Sequence, residues 1–207
     1  FRSTIADVPD SFHDLEVAVE RRFGIKECVV TPASERPDNT YRAFAAALAD
    51  MLPRIVSRNA LIGVSWGETL KALGDELQGV ASLRCDVVPV IGAMGTIETG
   101  VYPNSIARTF AEHLGGRAYL VNAPAVLDSE ETAERLVQDS TFDQVRELWQ
   151  RIDLAILGAS SLEEDTSVYR GGIFSSQELA VLREAGAVAA TNFLFLAADG
   201  TVKGHPL

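Results

Sequence analysis

Apolar residues in this chain recur with two periods, and the alternation between them outlines its elements. Phe12, Leu15, Val19 and Phe23 fall at three- and four-residue spacing and predict a helix over 11–23, capped by Asp10 or Ser11 and closed by Gly24. Residues 25–30 then read as a strand ending at Thr31-Pro32. Pro37-Asp38-Asn39 opens a long helix to about Leu52, whose alanines at 43, 45, 46, 47 and 49 suit close packing. Strands are predicted over 60–64, 87–91, 118–121 and 153–157, with helices near 70–77 and 103–114. Two more helices are predicted over 129–136, capped by Asp128 or Ser129, and over 142–150. Ser175-Ser176-Gln177-Glu178 has the form of a capping box before another helix. Residues 189–201 read as a strand or a hairpin turning at Asp199-Gly200. Strands alternating with helices predict an α/β fold: a doubly wound, mostly parallel, Rossmann-like sheet with both faces covered.

Four predicted strands end in small or hydroxyl-bearing residues, at 65–69, 92–96, 123–125 and 158–161. In open α/β sheets ligands bind outside the carboxyl ends of the strands. The first of these turns, Ser65-Trp66-Gly67-Glu68-Thr69, leads straight into a helix. Free N–H groups of a first helical turn and the helix dipole favour an anion there. Gly67 permits close backbone approach and Thr69 adds a hydroxyl donor. The second turn runs Gly92-Ala93-Met94-Gly95-Thr96.

Composition narrows the function. The 207 residues are 47% hydrophobic and 23% charged, enough for a substantial core and too apolar for disorder. No apolar run reaches the ~18 residues of a membrane span, and the first residues do not form a secretory signal. The net charge is −11, and no basic run is longer than Arg21-Arg22. Such a domain lacks the basic face that phosphate neutralisation demands, so DNA binding by the parent protein would fall to another segment. Cys28 and Cys85 are too far apart in sequence for a zinc or redox motif, and free thiols fit a reducing cytoplasm. His13, His113 and His205 have no partner at metal or triad spacing, and no cofactor is implied. Asp86 and Asp153 each begin an apolar run and are expected at the amino ends of strands, away from the site.

The segments Ile62-Gly-Val-Ser-Trp-Gly-Glu-Thr-Leu, Pro89-Val-Ile-Gly-Ala-Met-Gly, Pro103-Asn-Ser-Ile-Ala, Ala123-Pro-Ala, Ile156-Leu-Gly-Ala-Ser-Ser and Ala198-Asp-Gly occur in the order found in SorC-type bacterial transcriptional regulators. Together they resemble the effector-binding domain of that family over nearly the whole chain. The resemblance implies a fold similar to sugar-phosphate isomerases and glucosamine-phosphate deaminases. It also implies a non-enzymatic domain of cytoplasmic, homo-oligomeric regulators (dimers or tetramers). A sugar or sugar phosphate bound there would control a separate helix-turn-helix. Residues 1–207 are then expected to be one effector domain, incomplete at both ends. The helix-turn-helix is missing, and so is a following segment in which the family carries a lysine. Position 190 is Ala, where family members often place an acid.

Implied ligand positions are Gly67, Glu68 and Thr69 in the first turn, with its neighbours Ser65 and Trp66. In the second turn they are Gly92, Ala93, Met94 and Gly95, with Asn104 and Arg170 beyond. Several of these residues have two readings. Arg170 suits bidentate phosphate binding or pairing with Glu163, Glu164 and Asp165. Glu68 would hold sugar hydroxyls or simply begin a helix. Trp66 suits stacking on a sugar ring or anchoring the core, Met94 a pocket wall or the core, and Asn104 a helix cap or a ligand contact. The competing reading is an isomerase- or deaminase-like enzyme on the same scaffold, for which no His–carboxylate pair lies beside the glycine turns. A pure interaction domain is the third.

Overall fold

The computed structural model describes residues 11–77, 83–94, 100–163, 166 and 174–203. A parallel sheet has the order β2–β1–β3, from Leu61–Val64 (β1), Asp86–Pro89 (β2) and Leu154–Ile156 (β3). Ile62, Val64 and Val87 project to one face of it. There they join a core with Leu52 of Pro37–Ile55 (α2), Leu70 and Leu73 of Glu68–Glu76 (α3) and Ile106 and Phe110 of Pro103–Leu114 (α4). Leu61 and Val88 face the other way and pack on Leu148, with Tyr119, Trp149 and Ile152 around them. Leu148 and Trp149 belong to Asp143–Trp149, one of a pair of helices with Glu130–Gln138 (α5 and α6, the shorter α6 second). Gly63 lies on this crowded face, where a Cβ would meet Val90 Cγ1 at 2.6 Å. Continuous burial of β1, with both of its faces covered, is what the apolar run predicted.

The C-terminal part departs from a uniformly parallel sheet. Ala159–Ser161 (β4), Ala187–Thr191 (β5), Leu194–Ala197 (β6) and Val202–Lys203 (β7) form an antiparallel sheet in the order β4–β5–β6–β7. Ser176–Glu184 (α7) precedes β5, and its Ser175–Glu178 capping box is present. The inner face of this sheet (Ala187, Ala190, Phe195) meets Trp66, Ile91, Met94, Phe174, Leu179 and Leu182 in a second core. The two cores meet at the carboxyl edge of the parallel sheet, because Trp66 and Ile91 directly follow β1 and β2.

Three expected elements differ. Residues 25–30 join no strand. They follow Ser11–Phe23 (α1) as an extended segment whose Cys28 and Val30 N–H groups donate to the carboxylates of Glu20 and Glu16, both at 2.8 Å. The stripe on α1 is also less buried than its spacing suggests, with Leu15 50% and Phe23 71% exposed. Residues 118–121 touch the parallel sheet at the single Val87–Ala118 bridge. They then leave it, because the Asn104 amide takes both backbone groups of Val121, accepting from its N–H at 3.0 Å and donating to its carbonyl at 3.2 Å.

Candidate functional site

Ser65 to Leu70 form one side of a cleft at the carboxyl edge of the parallel sheet. Gly158, which follows β3, Ala159 and Ser160 of β4, and Ala190, Asn192 and Phe193 from β5 and the turn after it complete the lining. Gly67, at φ 110°, makes the corner from β1 into α3 and is where the left-handed region excludes ordinary residues. Its N–H is already given to the Val101 carbonyl at 3.0 Å, so Gly67 shapes the turn and is not itself a free donor. The first intrahelical bond of α3 is Lys71 N–H to Gly67 O, and no side chain caps the helix. The N–H groups of Glu68, Thr69 and Leu70 thus precede the ladder, the arrangement in which a helix terminus receives an oxygen-rich or anionic group. Glu68 and Thr69 are exposed at the rim, whereas Leu70 is buried.

The opposite wall is the hairpin between β5 and β6. Its two-residue turn is Asn192-Phe193, with φ of 49° and 60°. A mirror-image turn of this kind needs positive φ at both positions, which Asn accepts and Phe resists. Aromatic packing offsets the cost, since Phe193 lies 5.1 Å from the Trp66 ring and meets Phe174 edge-on at 5.3 Å. Asn192 reaches across to the parallel sheet, accepting from the Ser65 hydroxyl at 2.8 Å and donating to the Val90 carbonyl at 3.2 Å. Thr191 donates to the Gly158 carbonyl at 2.9 Å. The hairpin is thereby tied to the ends of all three parallel strands.

Five residues of the first turn (Ser65, Trp66, Gly67, Glu68, Thr69) are together in the cleft. Trp66 is 9% exposed and serves the second core while bordering the cleft. Met94 is a buried member of the same core. The described part of the second turn, residues 92–94, also packs on the third strand end. Ala93 exchanges backbone bonds with Ala123 and Ala125 (2.6 and 2.8 Å), and a Cβ on Gly92 would lie 2.4 Å from the Pro124 carbonyl oxygen. Asn104 is occupied with Val121 and caps no helix. Gly95 and Arg170 lie outside the described residues, as do Glu164, Asp165 and His205. Asn192 and Phe193 escaped the sequence reading. The only signal for them was a polar residue interrupting an apolar run, and the Asp199-Gly200 turn, which closes the next hairpin, carried the stronger one.

Among the cleft's described residues Glu68 alone is ionisable. No three His, Cys, Asp or Glu side chains among the described residues gather as a metal would require. The groups with displaced titration lie elsewhere. Hydrogen bonding to Arg117 holds Asp86 below the ordinary carboxylate value, and burial pushes the Cys85 thiol up. Asp86 begins β2 and Asp153 immediately precedes β3, where it accepts from Leu61 N–H at 2.8 Å, so both lie at the amino edge as expected.

A helix terminus and a hairpin facing each other over the carboxyl edge of a parallel sheet form a cleft where α/β domains commonly take small molecules. The "Putative sugar-binding domain" family (Sugar-bind) matches residues 9–207, and the chain belongs to that family. It is 27% identical over 150 residues to the sorbitol operon regulator of Klebsiella pneumoniae, covering 71% of this chain and 48% of that protein. It is 28% identical over 189 residues to the transcriptional regulator LsrR of K. pneumoniae subsp. pneumoniae, covering 90% of this chain and 56% of the relative. The chain thus spans about half the length of these curated relatives. The crystal structure of full-length SorC from K. pneumoniae superposes with a TM-score of 0.85 at 22% identity, covering 100% of this chain and 67% of that one. The fold is therefore that of the SorC-type domain. No helix among the described residues is long and apolar enough to cross a membrane.

Proposed function

We propose that residues 1–207 form the effector domain of a cytoplasmic bacterial transcriptional regulator. The domain binds a sugar or sugar phosphate in the cleft between α3 and the Asn192-Phe193 turn. Ligand occupancy controls DNA binding by a separate helix-turn-helix in a homo-oligomer, a dimer or tetramer. The observation that carries this reading is the uncapped N-terminus of α3, with Thr69 at its rim, opening onto the cleft. Membership of the sugar-binding family and relatives named as regulators support it. Gly92, Gly95, Asn104 and Arg170 remain proposed members of the site. Control of DNA requires the ligand to bind two states of the protein with different affinity, since equal affinity shifts no equilibrium.

Sensing rather than turnover is favoured by the described lining of the cleft, which holds one carboxylate, Glu68, and no histidine or lysine. The test is thermal unfolding of the protein against a panel of sugars, sugar phosphates and polyols, followed by a turnover assay on each hit. A ligand at 100 times its Kd stabilises the fold by about 2.7 kcal/mol. Stabilisation without turnover is expected. Turnover moves the assignment to an isomerase- or deaminase-like enzyme, and no stabilisation by any member of the panel overturns the sensor reading.

A further inference from the structure

Ser65 is the one buried polar side chain among the described residues, at 1% exposure, and it lies in the lining of the cleft. Most buried hydroxyls have a hydrogen-bond partner. Its hydrogen goes to Asn192 Oδ1 at 2.8 Å. The orientation of that amide is fixed, because the Val90 carbonyl can only accept, so the nitrogen faces Val90 and the oxygen faces Ser65. Ser65 Oγ keeps lone pairs that can accept, and Asn192 Nδ2 keeps a second N–H that can donate. The pair therefore offers one acceptor and one donor side by side. A hydroxyl group, which donates and accepts at once, satisfies both. A phosphate dianion has no proton for the serine oxygen. The other end of the cleft differs in character, since the α3 terminus presents three N–H donors and the Thr69 hydroxyl, with the Glu68 carboxylate exposed at its rim.

We infer that the Ser65–Asn192 pair is a specificity-determining subsite that reads one uncharged hydroxyl of the ligand, while the α3 terminus holds its anionic or oxygen-rich end. The inference rests on the cleft being the sugar site and adds a polarity to it. The ligand is a polyhydroxy compound whose free hydroxyl faces the hairpin and whose charge, where it has one, faces α3. Asn192 at φ 49° sits at the tip of a turn held by Phe193 on Trp66, so its amide is held at the position where it reads the ligand.

The experiment measures dissociation constants of the protein for glucose 6-phosphate and its 2-, 3- and 4-deoxy analogues, with ribose 5-phosphate and 2-deoxyribose 5-phosphate as a second series. In the unmodified protein one deoxy analogue binds about tenfold more weakly than its parent, the scale of one lost hydrogen bond. Ser65→Ala brings that ratio to within about twofold, and Ser65→Thr, which keeps the hydroxyl, restores it. Asn192→Gly, which accepts positive φ, abolishes the ratio as Ser65→Ala does. A purely structural role would weaken parent and analogues by the same factor and leave the ratio unmoved, which overturns the inference. So does an unmodified protein that binds parents and deoxy analogues equally, a result that leaves the sugar site itself standing. An unmodified protein that binds none of these compounds defeats the inference for sugar phosphates. If the wider panel of sugars and polyols also fails, the functional reading falls with it.

Discussion

Thr69 is the residue whose contribution is simplest to isolate. It is exposed at the first turn of α3, it adds a hydroxyl to the N–H donors there, and valine replaces it at nearly constant shape. A hydrogen bond to a charged group contributes about 1.5–3 kcal/mol. Thr69→Val is therefore expected to weaken a phosphorylated ligand about tenfold or more while leaving the unliganded melting temperature within about a degree. Calorimetric titration checks both, and unchanged affinity for every phosphorylated ligand would remove the first turn from the phosphate site. Residues 65–69 were legible because strand end, glycine and helix start are adjacent in the chain. Ser65's partner was not, since Asn192 lies 127 positions away. Asn104 misled for a related reason. Beside Pro103 it resembles a cap, but its amide bonds to Val121, seventeen positions on, which no local pattern reveals.

At the scale of elements, the helices were the most legible. Pro103–Leu114 agrees with its predicted span, and Ser129 caps α5 by accepting from Thr132 N–H. The 3.6-residue period and terminal residues act within one segment, so they survive tertiary context. Strands need a partner, and residues 25–30 lack one: the carboxylates of Glu16 and Glu20 take the place of a neighbouring strand. Replacing both with alanine is expected to accelerate amide hydrogen exchange at Cys28 and Val30 about tenfold, the scale of one net hydrogen bond each. Glutamine, which keeps an acceptor oxygen, should give a smaller change. Equal protection in the alanine variant and the unmodified protein, measured by NMR, would show that packing rather than these two bonds orders the segment.

Across the whole molecule, the amino edge of the parallel sheet has its own electrostatic fastening. Asp86 at the start of β2 pairs with Arg117 at 2.6 Å, and the Arg117 guanidinium also lies 5.6 Å over the Tyr119 ring. Hydrogen bonding to Arg117 depresses the Asp86 carboxyl below its ordinary value of 3.8. A depressed carboxyl contributes stability that is present above the unfolded-state value and is lost as pH falls through the folded one. Asp86→Asn should lower the melting temperature by about 2 °C at pH 7, a modest effect for a pair open to solvent. The difference from the unmodified protein should shrink as pH falls below the ordinary carboxylate value and close once the folded-state carboxyl is protonated. A difference that stays constant from pH 7 to pH 2.5 would assign the loss to packing instead. By itself the sequence determined the alternating elements, the parallel α/β core and the turn at 65–69, because periodicity, caps and glycines act over a few residues. Tertiary structure alone decided that the C-terminal strands, of which the sequence showed only the Asp199-Gly200 hairpin, form a separate antiparallel sheet. It alone set a buried serine against an asparagine on that sheet's hairpin, and turned a generic strand end into a cleft with two chemically different ends. Those outcomes depend on which distant segments share a face, and the free energy that selects them is burial between the two sheets, which no local stretch of chain encodes.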